Sequence, residues 1–211
     1  MTYIAPSSLS RREARRIDRR EAILTVAERS FMEHGYAGTT MSAIAASLGG
    51  SKGTLWNHFP SKEELFAAVL ERATTDYRLR LSQILDPGEQ AIDTLRHFCV
   101  SFLEKITSPE SIALYRLVAS EAGRFPEIGH IFYQHAPRHT RHLLAAYIAG
   151  ATERGQLRAC DPELAARALT TLVMSGCHQQ LLWGLIDTAP ADLIAGDAEF
   201  ATDLFMRAYA P

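Results

Sequence analysis

Cysteine is scarce in this chain and odd in number. Cys99, Cys160 and Cys177 stand far apart, which argues against a disulfide framework and for plain buried thiols in a reducing compartment. An apolar run ahead of the first charges is missing too. The chain opens MTYIAPSSLSRREARR, which is no secretory signal. Strand-like alternation bounded by turns is absent throughout, as are internal repeats and low-complexity segments. Residues 168–186 lack charge and are nearly long enough to span a bilayer. They carry Thr170, Thr171, Ser175, His178, Gln179 and Gln180, however, and so many polar groups are costly in hydrocarbon. A helix buried on several sides fits better, and the expected setting is the cytoplasm, with no membrane partner.

What is present is ordinary for a folded protein. The 211 residues are 47% hydrophobic and 22% charged, too apolar for a disordered chain. The net charge of −2 conceals an asymmetry. Residues 1–60 hold eight basic against five acidic side chains, and six arginines fall within RREARRIDRR, from Arg11 to Arg20. That run is either a solvated tail or an arm that follows phosphates.

Apolar spacing and punctuation read as helix and turn only, so the fold class is all-α. Ile23, Leu24, Ala27 and Phe31 mark a first helix over 21–34, with Gly35 as its stop. Thr40 caps a short second helix over 41–48, broken at Gly49-Gly50. Ser51 caps a third over 51–59, ended by Pro60. Ser61 and Glu64 form a capping box that opens a long fourth helix toward Leu85. After Asp86-Pro87-Gly88, helices are expected at 89–106, 109–123, 126–135, 138–154, 162–186 and 191–209. Prolines 109, 126, 137, 162 and 190 stand at or near their starts.

Two short helices across a glycine turn, braced by a longer one, make the helix-turn-helix plan. Its second short helix enters the major groove. Leu55 and Phe59, four apart, then face inward, and Trp56, Asn57 and His58 face out. Asn57 suits a bidentate contact to adenine. Lys52, Thr54 and Lys62 suit phosphates, as do the N–H groups after Thr40. Residues 49–53 also spell G-x-S-x-G, but a nucleophile elbow needs a strand before its serine, and residues 41–48 read as helix. Neither a phosphate-binding loop nor a zinc-protease motif is present.

Residues 21–66 resemble the DNA-binding domain of the TetR family of bacterial transcriptional regulators. The resemblance runs through Ile23-Leu24, Ala27, Phe31, Gly35-Tyr36, Thr39-Thr40-Met41-Ser42, Ile44-Ala45, Ser51-Lys52-Gly53-Thr54-Leu55, His58-Phe59 and Lys62-Glu63-Glu64-Leu65. Two positions depart from the pattern. Gly50 replaces an apolar residue, which loosens the turn, and Trp56 replaces a tyrosine, which bears on operator preference. In the second half, LYRLVASEAGRFPE from Leu114, Phe132-Tyr133, Gly155-Gln156-Leu157-Arg158 and Asp161-Pro162-Glu163-Leu164-Ala165 resemble AefR-like and AcrR-like repressors.

The resemblance implies a basic arm over 1–20, a DNA-binding domain over 21–66 and a helical ligand-binding and dimerisation domain over 67–211. It implies a homodimer on a roughly palindromic operator in double-stranded DNA, joined through the last two helices. The apolar surplus of 168–186, with Phe200, Leu204 and Phe205, supports such a seam, although the same residues could pack inside one subunit. DNA contacts are expected from Arg15, Arg16, Arg19, Thr40, Ser42, Lys52, Gly53, Thr54, Trp56, Asn57, His58 and Lys62.

A small, largely apolar effector is expected among His97, Phe98, Phe102, Tyr115, Val118, Met174, Cys177 and His178, unless these fill a solid core. His135, His139 and His142 have helical spacing, but Pro137 interrupts them and a tetrahedral donor set is incomplete. No metal, cofactor or catalytic residue is assigned. The expected function is a ligand-released repressor and not an enzyme. The alternatives are an activator or global regulator of the same fold, or an all-α enzyme using the second-half cavity.

Overall fold

The computed structural model describes residues 10–49 and 52–211, and every regular element among them is an α-helix. The order is α1 (Arg11–Gly38), α2 (Met41–Ser47), α3 (Lys52–His58), α4 (Lys62–Ile84), α5 (Ala91–Ile106), α6 (Pro109–Glu121), α7 (Pro126–His135), α8 (Pro137–Glu153), α9 (Pro162–Met174), α10 (Cys177–Trp183) and α11 (Ala191–Tyr209). Two compact units divide the chain at Val69 and Leu70, inside α4. None of the described helices is long and apolar enough to cross a membrane. Residues 1–9, the Gly50 turn, the Ser51 cap and the Lys52 side chain lie outside the described residues.

The first helix begins ten residues earlier than the apolar periodicity predicts. Ser10 Oγ accepts from Glu13 N at 3.2 Å, and Glu13 Oε2 accepts from Ser10 N at 3.0 Å. This reciprocal capping box satisfies two amide donors and starts the helix at Arg11. The arginine run is therefore helix, continuous with α1. At the far end Gly35 takes φ 72°, which a side chain would strain, and kinks the chain.

The first unit closes on Phe31, Tyr36 and Phe66, whose ring centroids lie 5.1 to 5.8 Å apart. Ile23, Leu24, Ala27, Ile44, Leu55 and Leu65 complete the core, each 3% exposed or less. Thr40 caps α2 as expected, accepting from Ala43 N at 3.1 Å. Ser61 Oγ accepts from Glu64 N at 3.1 Å, which fixes the start of α4.

In the second unit α5 packs along α11, and α8 along α9. Leu95, Phe98, Cys99, Leu144, Leu169, Val173 and Phe205 share one buried cluster. The helix expected over 162–186 is two helices. Gly176 stands between them with φ −98° and ψ −121°, and Asp197 Oδ2 accepts from Cys177 N at 2.6 Å. A Cβ at Gly176 would lie 2.2 Å from that carboxylate oxygen, so only glycine lets α11 reach the start of α10. Arg116 of α6 donates to the Leu181 and Leu182 carbonyls at the other end. An anion at the N-terminus and a cation at the C-terminus both match the helix dipole. Phe205, expected on an outer apolar surface, is 1% exposed, and Leu181 also faces inward, whereas Phe200 and Leu204 are exposed.

Candidate nucleic-acid interface

The geometry of α3 follows from its pattern of apolar positions. Leu55 and Phe59 are anchored in the core at 1% and 4% exposure, leaving Trp56 at 43%. Gly53 and Asn57 are exposed beside it, and Thr54 is half-buried. On α2, Ser42 is exposed two residues after the Thr40 cap. Ser42, Gly53, Trp56 and Asn57 are thus all outward.

His58 is only half outward. It lies beside Arg16, Arg19 and Arg20, and its pKa is lowered, first by burial and then by those three cations. The Arg20 guanidinium sits 5.2 Å from the Phe59 ring centroid. The arginine helix therefore runs past the C-terminal end of α3, which puts Arg16 and Arg19 next to the outward surface. Sequence spacing alone missed Arg20, although SRRE over 10–13 carries the S-x-x-E capping signal that would have extended the helix.

Lys62 is engaged elsewhere. Its Nζ donates to the Tyr36 and Thr39 carbonyls at 2.9 and 3.2 Å, and it stands 4.0 Å above the Tyr36 ring. Tyr36 in turn donates its hydroxyl to Glu63 Oε1 at 3.1 Å. The ammonium ties the start of α4 to the end of α1. The phosphate contact expected of Lys62 therefore has to share the ammonium with these two carbonyls.

In the second unit the residues expected around an effector divide into two groups. Tyr115 packs edge-on against Phe132 and His178, with centroids 6.0 and 5.6 Å away. Val118 is buried and Met174 half-buried. Phe98 and Phe102 stack at 5.6 Å within the same core as Cys177. His97 departs from the expectation: it is exposed and lines an open groove with Arg80, Gln83, Ile84, Asp86 and Glu89. One step along α5 from Phe98 turns a side chain by about 100°, which carries His97 off the core face. Burial lowers the His178 pKa and, with Asp197 adding to it at Cys177, pushes the Cys99 and Cys177 thiols up to about 12. Such thiols stay protonated and unreactive.

The candidate metal histidines are divided between two helices. Pro137 opens α8, so His135 belongs to α7, where its Nδ1 meets Glu71 Oε2 at 2.8 Å. Among the described residues no three His, Cys, Asp or Glu side chains are grouped to hold a metal ion.

Two family matches cover most of the chain. Residues 23–69 match the bacterial regulatory proteins of the tetR family, and residues 93–211 match the C-terminal domain of AefR-like transcriptional repressors. The chain belongs to the TetR family of transcriptional regulators. The HTH-type transcriptional regulator YhgD of Bacillus subtilis is 27% identical over 164 residues, spanning 75% of this chain and 82% of that protein. The flavonoid-responsive regulator FrrA has a solved structure 29% identical in sequence, with a TM-score of 0.77 over 94% of this chain and 98% of that one. A TetR-family structure from Mesorhizobium loti shares the fold at TM-score 0.81 and 23% identity, over 93% of this chain and 99% of that one. TetR-family regulators bind DNA, which makes duplex DNA the candidate partner for the indole and amide that α3 exposes.

Proposed function

We propose that this chain is a homodimeric repressor that reads a roughly palindromic operator in the cytoplasm and leaves it on binding a small, largely apolar molecule. One observation carries the DNA half: α3 anchors Leu55 and Phe59 in the core while Trp56 and Asn57 remain exposed. Asn57 makes the base contact, and Ser42, Lys52, Gly53, Thr54, Trp56 and His58 hold phosphates and sugars, with the amides after Thr40 beside them. Two subunits place two such helices one turn of DNA apart.

Exposed Trp183, Leu185, Phe200 and Leu204 support dimerisation through the last helices, since a monomer would leave them in water. The Tyr115, Phe132 and His178 rings support an aromatic guest, and FrrA is named for its response to flavonoids. Release requires the guest to prefer the conformation that fits DNA less well, and α4, shared by both units, is the connection between them.

The test is selection of duplex DNA from random sequence, then binding across a salt series with and without a flavonoid panel. Asn57→Ala should cost about 1–3 kcal/mol at particular base pairs and little elsewhere. Equal affinity for selected and scrambled duplex would refute the DNA reading. Leu204→Lys should yield monomers by mass measurement and abolish operator binding; a dimer on DNA in that variant would refute the seam.

A further inference from the structure

The helical arginine run sorts its charges by face. At about 100° per residue, Arg12, Arg15, Arg16, Arg19 and Arg20 fall within an arc of about 140°. Glu13, Asp18 and Glu21 all fall outside it. Arg12, Arg16 and Arg20 follow one line that continues into Ile23 and Ala27, so this basic face looks to the same side as the three-helix core. The electrostatics agree independently, because Arg16, Arg19 and Arg20 are the cations that depress His58 at the end of α3. The helix needs no partner to form, since Ser10 and Glu13 cap it reciprocally. Apart from Ala14 and Arg19, which are half-buried, Arg11 to Arg20 are exposed. Ten residues give about 15 Å of rigid, one-sided positive charge, equivalent to about 4 base pairs at 3.4 Å each.

We infer that this segment is a pre-folded cationic rail that grips phosphates of double-stranded DNA beyond the base pairs read by α3, lengthening the contact by about 4 base pairs per subunit. The inference rests on the DNA-reading function proposed above. Charge complementarity selects the partner. A one-sided row of arginines beside the reading helix meets the phosphates bordering the groove; Asp18 and Glu21 lie well off that face, and Glu13, just past its edge, is held by Ser10. Because the helix is formed in advance, binding loses less conformational entropy than ordering a tail would.

The experiment uses the full chain and the duplex that the wild type selects from random sequence. That duplex is tested at full length and cut back at each end to the base pairs whose identity the selection fixes. Arg12→Ala with Arg15→Ala, both remote from the core, should weaken binding to the full-length duplex about tenfold or more. It should also reduce the salt slope by about 1–2, and it should matter little on the shortened duplex. Ala14→Pro keeps every charge but removes the amide that bonds Ser10 O at 2.9 Å; it should lose affinity in the same way.

An unchanged salt slope in the double arginine variant, or equal loss on both duplexes, would overturn the rail. Full affinity in Ala14→Pro would show that a tail suffices and overturn it as well. Vesicles containing phosphatidylglycerol are the third arm: if they bind the wild type through these arginines while duplex affinity ignores them, the partner is a membrane and the inference falls. A wild type that selects no duplex refutes instead the DNA-reading function.

Discussion

The helices α3 and α10 are both seven residues long, and each carries a tryptophan in water and a histidine of lowered pKa. They differ in how their polar groups are answered. Both ends of α10 are met from within its own unit, by the Asp197 carboxylate and the Arg116 guanidinium. Its histidine is 3% exposed and packs against Tyr115. The α3 helix is held by apolar anchors on its inner face, and its amide and indole stand outward. On that basis α10, whose two ends are answered within its own unit, is a structural part, although its Gln179, Gln180 and Trp183 are exposed, and α3 is the proposed reading head.

The sharpest way to break this contrast is to exchange inner and outer residues of α3. Leu55→Ala removes a 1% exposed side chain and should cost about 2–5 kcal/mol of folding stability. Trp56→Ala should change stability by no more than about 0.5 kcal/mol and still weaken operator binding. Chemical denaturation read beside DNA titration separates them. If Trp56→Ala unfolds the protein, the indole is core and α3 loses its outward role.

Next in size is the junction at α10. Gly176→Ala sets a methyl 2.2 Å from Asp197 Oδ2, and we expect a loss of about 1–3 kcal/mol from the forced shift. Asp197→Ala relieves that clash but leaves the α10 N-terminus without its acceptor, at a cost of about 0.5–2 kcal/mol. The two changes share one contact, so the double variant should cost less than their sum. Additive losses in denaturation would show that Asp197 and Gly176 act separately.

This junction also marks where sequence reading ends. The apolar periodicity of 162–186 is continuous, and the break is dictated by a carboxylate about twenty residues further on. The inward faces of α1 and α3 were legible because Ile23, Leu24, Ala27, Leu55 and Phe59 repeat at helical spacing within a few residues. Thr40 was legible because a cap acts on its own next turn. Lys62 was not, since its partners are backbone carbonyls that every residue carries and only the tertiary fold selects. His97 and Phe205 illustrate a third limit. On an apolar helix a neighbour one position away lies on a different face, and composition does not say which face is covered.

Lys62 provides a smaller test. Lys62→Met keeps the stem over Tyr36 but drops two charge-assisted hydrogen bonds, and we expect about 1–3 kcal/mol less stability in the first unit. The salt slope of DNA binding should stay at the wild-type value, because no phosphate contact is lost. A slope reduced by about 1 would return Lys62 to the phosphates.

The smallest effect lies in the two histidines, and it separates their environments most cleanly. Both pKa values are lowered from the ordinary 6.5, but for His178 burial is the lowering cause, partly offset by a hydrogen bond with the Met174 backbone. For His58 burial comes first and Arg16, Arg20 and Arg19 follow. In each case the unfolded chain takes up its proton before the folded one does. Stability therefore falls as pH drops below about 6.5 toward the folded values. Salt screens exposed charges and leaves desolvation untouched. Raising the ionic strength should therefore move the His58 titration back up, followed by its imidazole NMR signals, while that of His178 stays in place. Adding operator DNA should move His58 in the same direction, since a phosphate among the arginines offsets their repulsion. If both histidines respond to salt alike, α10 is as open to solvent as α3, and the distinction between structural part and reading head fails.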